Sequence, residues 1–340
     1  MATPSDTLST TVAALTSSID NSPKTAPPFR IGDDIEFRGW RGRLEPGVNP
    51  FGASGTERVM VTDASGIQYW HDPVSDIVFT SPRFSQASLD LAYQKPDAHI
   101  DTRQFVDFDR SAWKRAADRS FVVSKLKVDL ISRWLAPGAK VLDVGCHLGL
   151  FVMLAQEAGF ACTGIDISAD AIKIGAEQLG IPNLSACTLD HAGFEPESFD
   201  GLVIWDVLEH LYDLTNVMQQ CATVLKPDGY FFAQVPNHRG MSARLKTLAC
   251  KLRIRRGRFH HFGFPWHLYH FSPRSLDVLV RRAGLETVRI RSYSHRSKTG
   301  AARRGIPAWI NQRIESLALS DYLYIVARKT GDVQTRAAAQ

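Results

Sequence analysis

Apolar and polar positions follow three rhythms along the chain. From Ile31 to Thr80 the pattern is short and strand-like, as in Arg58-Val-Met-Val-Thr62 and Ile67-Gln-Tyr-Trp70 on either side of the turn Asp63-Ala-Ser-Gly66. Between residues 84 and 136 the apolar spacing becomes helical, ending in Phe121-Val-Val-Ser-Lys-Leu-Lys-Val-Asp-Leu-Ile-Ser-Arg-Trp-Leu135, which Pro137-Gly138 terminates. From Lys140 onward the two patterns interleave. Strands are predicted at Val141–Val144, Cys162–Ile167, Leu184–Leu189, Gly201–Trp205 and Tyr230–Val235, with a closing strand at Tyr322–Ala327. Helices are predicted at Leu150–Ala158, Ala169–Leu179, Leu214–Leu225 and Pro273–Ala283. Such alternation implies an α/β fold, a mostly parallel sheet covered on both faces with ligands at the carboxyl ends of its strands.

The same patterns divide the chain. Residues 1–28, rich in Ser, Thr, Ala and Pro, read as a disordered arm. Residues 29–83 form a small β-rich module, 84–330 the α/β body with a basic cap at 239–270, and 331–340 a flexible tail. No internal repeat is visible.

Composition narrows the setting. With 44% hydrophobic and 22% charged residues, 340 residues can bury a sizeable core. No apolar run reaches the roughly 18 residues of a membrane span, and no basic residue precedes Lys24 to open a signal peptide, so a cytoplasmic protein is expected. The five cysteines, Cys146, Cys162, Cys187, Cys221 and Cys250, form no C-x-x-C pair and read as reduced thiols.

Charge is distributed unevenly. Of 40 basic and 35 acidic residues, 17 basic but only two acidic ones (Asp277 and Glu286) fall between residues 239 and 304, leaving 23 and 33 elsewhere. Within that stretch, Met241 to Ile254 alternates apolar and basic positions compatibly with an amphipathic helix. The segment favours an anionic partner: a phosphorylated or glycan acceptor, an anionic membrane surface touched peripherally from its inner face, or a nucleic acid.

Candidate chemistry lies at strand ends. In VLDVGCHLG (141–149) an apolar strand runs into a turn with Gly145 and Gly149 and then a helix. Glycines four apart, with His147 at the third turn position, do not make the G-x-G-x-x-G dinucleotide fingerprint, so NAD is disfavoured. Asp143 could receive an ammonium group, and Asp166, ending GIDIS (164–168), could hydrogen-bond two ribose hydroxyls. Together they describe a nucleoside with an amino-acid appendage.

With TLDHAGFEPESFDGLVIWDVLEHL (188–211), VLKPDGYFFAQVPN (224–237) and PWHLYHFSPRSL (265–276), these motifs follow one another in a known order. The chain resembles the class I S-adenosylmethionine-dependent methyltransferases, in particular the group similar to ubiquinone-biosynthesis O-methyltransferases, over about residues 115–294. The resemblance implies a Rossmann-like seven-stranded sheet with an antiparallel closing strand. It also implies a donor site in which Asp143, Gly145, Cys146, His147 and Gly149 surround the methionine end. Asp166 and Ile167 would hold the ribose, Asp190 and His191 would flank the adenine, and Trp205 would line the site. One departure stands out, since the group usually has glycine where this chain has His147. If that position needs positive φ, histidine is among the less costly replacements.

Two segments could carry the chemistry on the acceptor. If Asp206-Val-Leu-Glu-His210 is helical, Asp206, Glu209 and His210 share a face and could bind a cation, or His210 could act as general base, or Glu209-His210 could simply organise the turn. No metal is the preferred reading. The loop Phe264-Pro-Trp-His-Leu-Tyr-His-Phe-Ser272 closes over the acceptor in the resembling proteins. It supplies His267 and His270 as bases, with Trp266 and Tyr269 against the substrate and Ser272 as helix cap. The order of candidate bases is His267, His270, His210. The amino-terminal module, followed by Ser81-Pro-Arg-Phe-Ser85, is similar to zinc ribbons of sugar-modifying methyltransferases but has no cysteine, so packing around Phe37, Trp40, Tyr69, Trp70 and Phe79 must hold it without zinc. The expected function is O-methylation of a glycan, nucleotide-linked sugar or related small molecule. The alternatives are a nucleic-acid methyltransferase using the basic segment and a non-catalytic scaffold that binds the methyl donor.

Overall fold

The computed structural model describes residues 29–37, 40–63, 65–93, 119–252, 254, 262–294 and 317–331. The expected arm at 1–28, residues 332–340 of the expected tail, and most basic residues of 253–261 and 295–316 lie outside the described residues.

Local chemistry sets the amino-terminal module. β1 (Asp34–Phe37), β2 (Trp40–Glu45) and β6 (Arg83–Phe84) form one antiparallel sheet; β3 (Arg58–Thr62), β4 (Gln68–Asp72) and β5 (Ile77–Ser81) form most of another. The β3–β4 turn is held by one carboxylate, Asp63, whose Oδ1 accepts the Ser65 and Ile67 amides and the Ser65 hydroxyl. Tyr69 is fully buried and stacks on Phe262 at 4.3 Å, and Trp70 lies parallel to Phe79 at 6.4 Å. The side chains of Phe37 and Trp40, expected in the same core, lie outside the described residues. The helical pattern expected over 84–136 resolves into α1 (Gln86–Tyr93) and α2 (Arg119–Ile131), with 94–118 outside the described residues.

The body is a seven-stranded sheet of order β13-β14-β11-β10-β7-β8-β9. Its strands are β7 (Lys140–Val144), β8 (Ala161–Asp166), β9 (Leu184–Ala186), β10 (Phe199–Trp205), β11 (Leu225–Pro236), β13 (Leu285–Tyr293) and β14 (Tyr322–Lys329). β9, β8, β7, β10 and β11 pair parallel, and β14 runs antiparallel to both its neighbours, as the resemblance implied. Helices α3 (Leu150–Glu157), α4 (Ala169–Lys173, continued by a wider turn through Gln178), α5 (Leu214–Val224), α6 (Met241–Lys251) and α7 (Pro273–Arg282) connect them. Ser272 caps α7, exchanging hydrogen bonds with Ser275 as expected.

Period-two alternation sorts the strand residues between two cores. Val141, Val203 and Phe232 face α2 and α3, whereas Leu142, Ile204 and Phe231 share a core with α5, α7 and the amino-terminal module, including Tyr69 and Phe84. A two-residue strand, β12 (Tyr269–His270), leaves the body to pair antiparallel with β5, completing the four-stranded sheet β12-β5-β4-β3.

Three expectations need correction. The strand expected over Leu184–Leu189 stops at Ala186, and Leu189–His191 is instead a tight helical turn. β13 was not among the predicted strands: Val288 stands exposed and the register shifts between Thr287 and Arg289, which breaks the alternation. Finally, Asp206 to His210 is not a helix. Asp206 takes φ 60° and only Leu208–His210 forms a 3₁₀ turn, so the three polar side chains share no helical face.

Candidate active site

Asp143, Asp166 and Trp205 sit where parallel strands end. At the end of β7, Asp143 is 2% exposed and its Oδ1 has no hydrogen-bond partner. Burial pushes its carboxyl up to about 7, Lys127 opposing the rise and Asp166 adding to it. The following turn is left-handed three times: Gly145 at φ 81°, His147 at 51° and Gly149 at 80°. A Cβ on Gly145 would stand 2.4 Å from Val207 Cγ2, and one on Gly149 2.8 Å from Leu184 Cδ1. His147 thus takes the left-handed conformation that most favours glycine, among the less costly non-glycine residues for it. Its amide donates to Asp166 Oδ2 at 2.8 Å, while Ser168 donates to Oδ1 at 2.8 Å. Burial holds the His147 imidazole below its usual range, against the pull of Asp166. Burial likewise pushes the Cys146 thiol far up, leaving it neutral.

Further along this edge, Ile167 is 48% exposed beside Asp166. Asp190 and His191 form an exposed pair at 3.2 Å, with the Thr188 hydroxyl 2.8 Å from His191 Nδ1. Trp205 is buried with its indole N–H unpartnered, Phe151 edge-on at 5.6 Å and Lys127 Nζ 5.2 Å over its ring. An unpartnered buried carboxylate, a cradle of left-handed glycines and an amide-anchored acid suit a ligand carrying an ammonium and a ribose.

The ends of β10 and β11 build the opposite wall. Asp206 accepts Gln234 Nε2 at 2.7 and 2.6 Å and pairs with Lys127 at 3.2 Å. Glu209 is 2% exposed with Oε2 unpartnered, and burial followed by repulsion from Asp206 raises its carboxyl well above the carboxylate range. His210 Nδ1 lies 3.0 Å from the Trp266 carbonyl, so it donates, and its ring meets His267 edge to face at 4.8 Å. Burial and then His267 push His210 down to about 3, so it is neutral at physiological pH. One potential ligand atom from each of Glu209, His210 and His267 lies within 4.8 Å of the others, a set different from the Asp206–Glu209–His210 trio raised by the sequence.

The three candidate bases therefore have different surroundings. His210 and His267 pack together, while His270 is 4% exposed, with Nε2 3.2 Å from the Thr80 hydroxyl and Tyr69 and Phe262 against its ring. Sequence reasoning passed over Lys127, Gln234, Thr80 and Tyr93. Lys127 was one polar position in a helical pattern and Gln234 one in an apolar strand. Tyr93, packed on Trp266 at 5.2 Å, is the last described residue of α1.

The family described as "Methyltransferase domain" matches residues 113–290. The ubiquinone biosynthesis O-methyltransferase of Thiobacillus denitrificans is 29% identical over 184 residues, covering 50% of this chain and 77% of that protein. The enzyme of the same name from Haemophilus ducreyi is 36% identical over 110 residues, 29% of this chain and 46% of that one. Among solved structures, Burkholderia thailandensis 1,6-didemethyltoxoflavin-N1-methyltransferase with S-adenosylhomocysteine is 18% identical with a TM-score of 0.47, covering 76% of this chain and 97% of that one. With a family match over more than half its length and the strand order β13-β14-β11-β10-β7-β8-β9, the chain belongs to the methyltransferase domain family and is a class I S-adenosylmethionine-dependent methyltransferase.

Proposed function

We propose that this enzyme methylates a hydroxyl of an anionic acceptor, a glycan, nucleotide-linked sugar or related small molecule, with His267 as general base. The observation that carries the reading is the contact between His267 and the neutral His210 beside Glu209, at the exit of β10. The names of the O-methyltransferase relatives support oxygen as the accepting atom. The segment from Gly229 to Leu276, which contains no acid, supports an anionic acceptor.

S-adenosylmethionine, when bound, supplies an electrophilic sulfonium methyl group. Asp166 is assigned the ribose hydroxyls, because each of its oxygens keeps a lone pair beyond the amide it accepts. Asp143 is assigned the ammonium end within the turn of Gly145, Cys146, His147 and Gly149. Ile167, Asp190 and His191 are assigned the nucleoside and Trp205 the wall of the site. What remains for the protein is to hold a hydroxyl in line and take its proton as it becomes a better nucleophile. His210 is ill suited to that task, being held near 3 and committed through Nδ1 to the Trp266 carbonyl; it orients the loop instead. The Thr80 contact and aromatic packing of His270 favour a buttressing role. His267 is left as the base.

Transfer of labelled methyl groups to a panel of nucleotide sugars, glycans and phenols tests this. His267→Asn should lower kcat about a hundredfold, the lower end of general-base effects, with S-adenosylhomocysteine affinity within twofold of wild type. Wild-type turnover in His267→Asn would refute the base assignment.

A peripheral contact with anionic lipid is a second reading, favoured by α6. Leu245, Leu248 and Leu252 are 62%, 52% and 61% exposed at i, i+3 and i+7, flanked by Arg244, Lys246 and Lys251. No helix among the described residues is long and apolar enough to cross a membrane. Leu248→Glu should reduce co-sedimentation with phosphatidylglycerol vesicles at least fivefold, a loss expected from burying a carboxylate at the interface. Equal recovery of the wild type with phosphatidylcholine and phosphatidylglycerol vesicles would remove this reading.

A further inference from the structure

The loop that carries His267 is held from both sides. On one side, the Leu268 amide donates to the Glu209 carbonyl at 2.7 Å, and the Trp266 carbonyl accepts from His210. On the other, the strap comes from the amino-terminal module, which precedes the family match at 113–290. The Thr80 amide donates to the Leu268 carbonyl at 3.0 Å, and β5 pairs with β12 through Phe79–Tyr269 and Val78–His270. Arg83, 4% exposed, donates to the Tyr269 hydroxyl at 3.2 Å and stacks on Tyr212 at 3.9 Å.

Thr80 is the one residue of the module whose side chain reaches both loop histidines among the described hydrogen bonds. Its hydroxyl lies 3.1 Å from the His267 carbonyl and 3.2 Å from His270 Nε2, and it is 1% exposed. A hydroxyl has one proton. Because the carbonyl can only accept, Thr80 donates to it and accepts from His270 Nε2–H. The run His270 N–H to Thr80 to the His267 carbonyl fixes one tautomer of His270 and the peptide plane from which the His267 imidazole departs. Gly263 completes the seat: a Cβ there would lie 2.7 Å from His267 Nδ1, so the imidazole rests directly on that backbone.

We infer that the amino-terminal β-module is a working part of the active site, in which Thr80 is a positioning residue that sets the His267 imidazole through the loop backbone. The module is thus more than an accessory domain. Pairing with β12 couples the register of its sheet to the placement of the base, and a shift of about 1 Å there is enough to cost on the order of a hundredfold in rate. The inference rests on the reading of His267 as base, and the experiment separates the two.

Full-length Thr80→Val, Thr80→Ser and His267→Asn are compared with wild type, using the acceptor found in the methyl-transfer panel and histidine-selective ¹⁵N NMR. Thr80→Val keeps the branched shape but removes the hydroxyl. It should lower kcat ten- to a hundredfold and displace the ring-nitrogen resonances and titration midpoints of both His267 and His270. Binding of S-adenosylhomocysteine should stay within twofold, and Thr80→Ser should restore both readouts. If Thr80→Val does not bind S-adenosylhomocysteine, Thr80→Ala carries the same test. Wild-type kcat and unmoved histidine resonances in the hydroxyl-less variant overturn the inference. So does a loss that Thr80→Ser fails to restore, since packing of the methyl group would then be responsible. If His267→Asn turns over normally while Thr80→Val still moves the resonances, the base assignment fails but the coupling of module to loop stands.

Discussion

Asp166→Ala should abolish the rise in melting temperature that S-adenosylhomocysteine gives the wild-type protein. The carboxylate does two jobs: it receives the His147 and Ser168 amides at 2.8 Å, fixing the turn against the next loop, and it presents its remaining lone pairs at the end of β8. Charge-assisted hydrogen bonds contribute about 1.5–3 kcal/mol each. Losing two to a ribose, together with the anchor of the turn, predicts an affinity loss of about a thousandfold or more. Asp166→Asn keeps the size and one acceptor oxygen and should retain a weak shift. An undiminished shift in the alanine variant would place the donor elsewhere.

Gly145→Ala should strongly destabilise the turn after β7. The residue sits at φ 81°, a conformation that costs a residue with a Cβ about 1–2 kcal/mol. The new carbon would also stand 2.4 Å from Val207 Cγ2, and a β-branched neighbour has few rotamers to escape into, so overpacking adds about 1–3 kcal/mol. A destabilisation of about 3 kcal/mol and loss of donor binding are expected in urea unfolding and calorimetry. Adding Val207→Ala should return the steric part and leave the conformational part, so the double variant should recover about half the loss. No recovery would mean that the contact with Val207 is not what limits the turn.

Whether a feature was legible in the sequence depended on how local its cause was. β7 and β10 are buried on both faces, so Val141 to Val144, interrupted only by Asp143, and Gly201 to Trp205 read as apolar runs. The turn after β7 was legible for the same reason, with the added result that His147 adopts the left-handed conformation itself. β13 was not legible, because Val288 is exposed, Arg289 and Arg291 flank a half-buried Ile290, and a bulge interrupts the register. The spacing of Asp206, Glu209 and His210 suggested a shared face, but the positive φ of Asp206 turns it to Lys127 and Gln234 instead. Least visible was the pairing of β5 with β12. Val78 and His270 are far apart in the chain, and nothing in either segment marks the other as its partner.

The most direct test of the account is a calorimetric titration of the wild-type protein with S-adenosylhomocysteine. A turn that keeps its left-handed shape with His147 in it, beside an unpartnered Asp143 and an anchored Asp166, predicts one site per chain with micromolar affinity. A folded protein that releases no heat and shows no competition by S-adenosylmethionine would contradict it, and would mean that the His147 imidazole closes the site its backbone preserves.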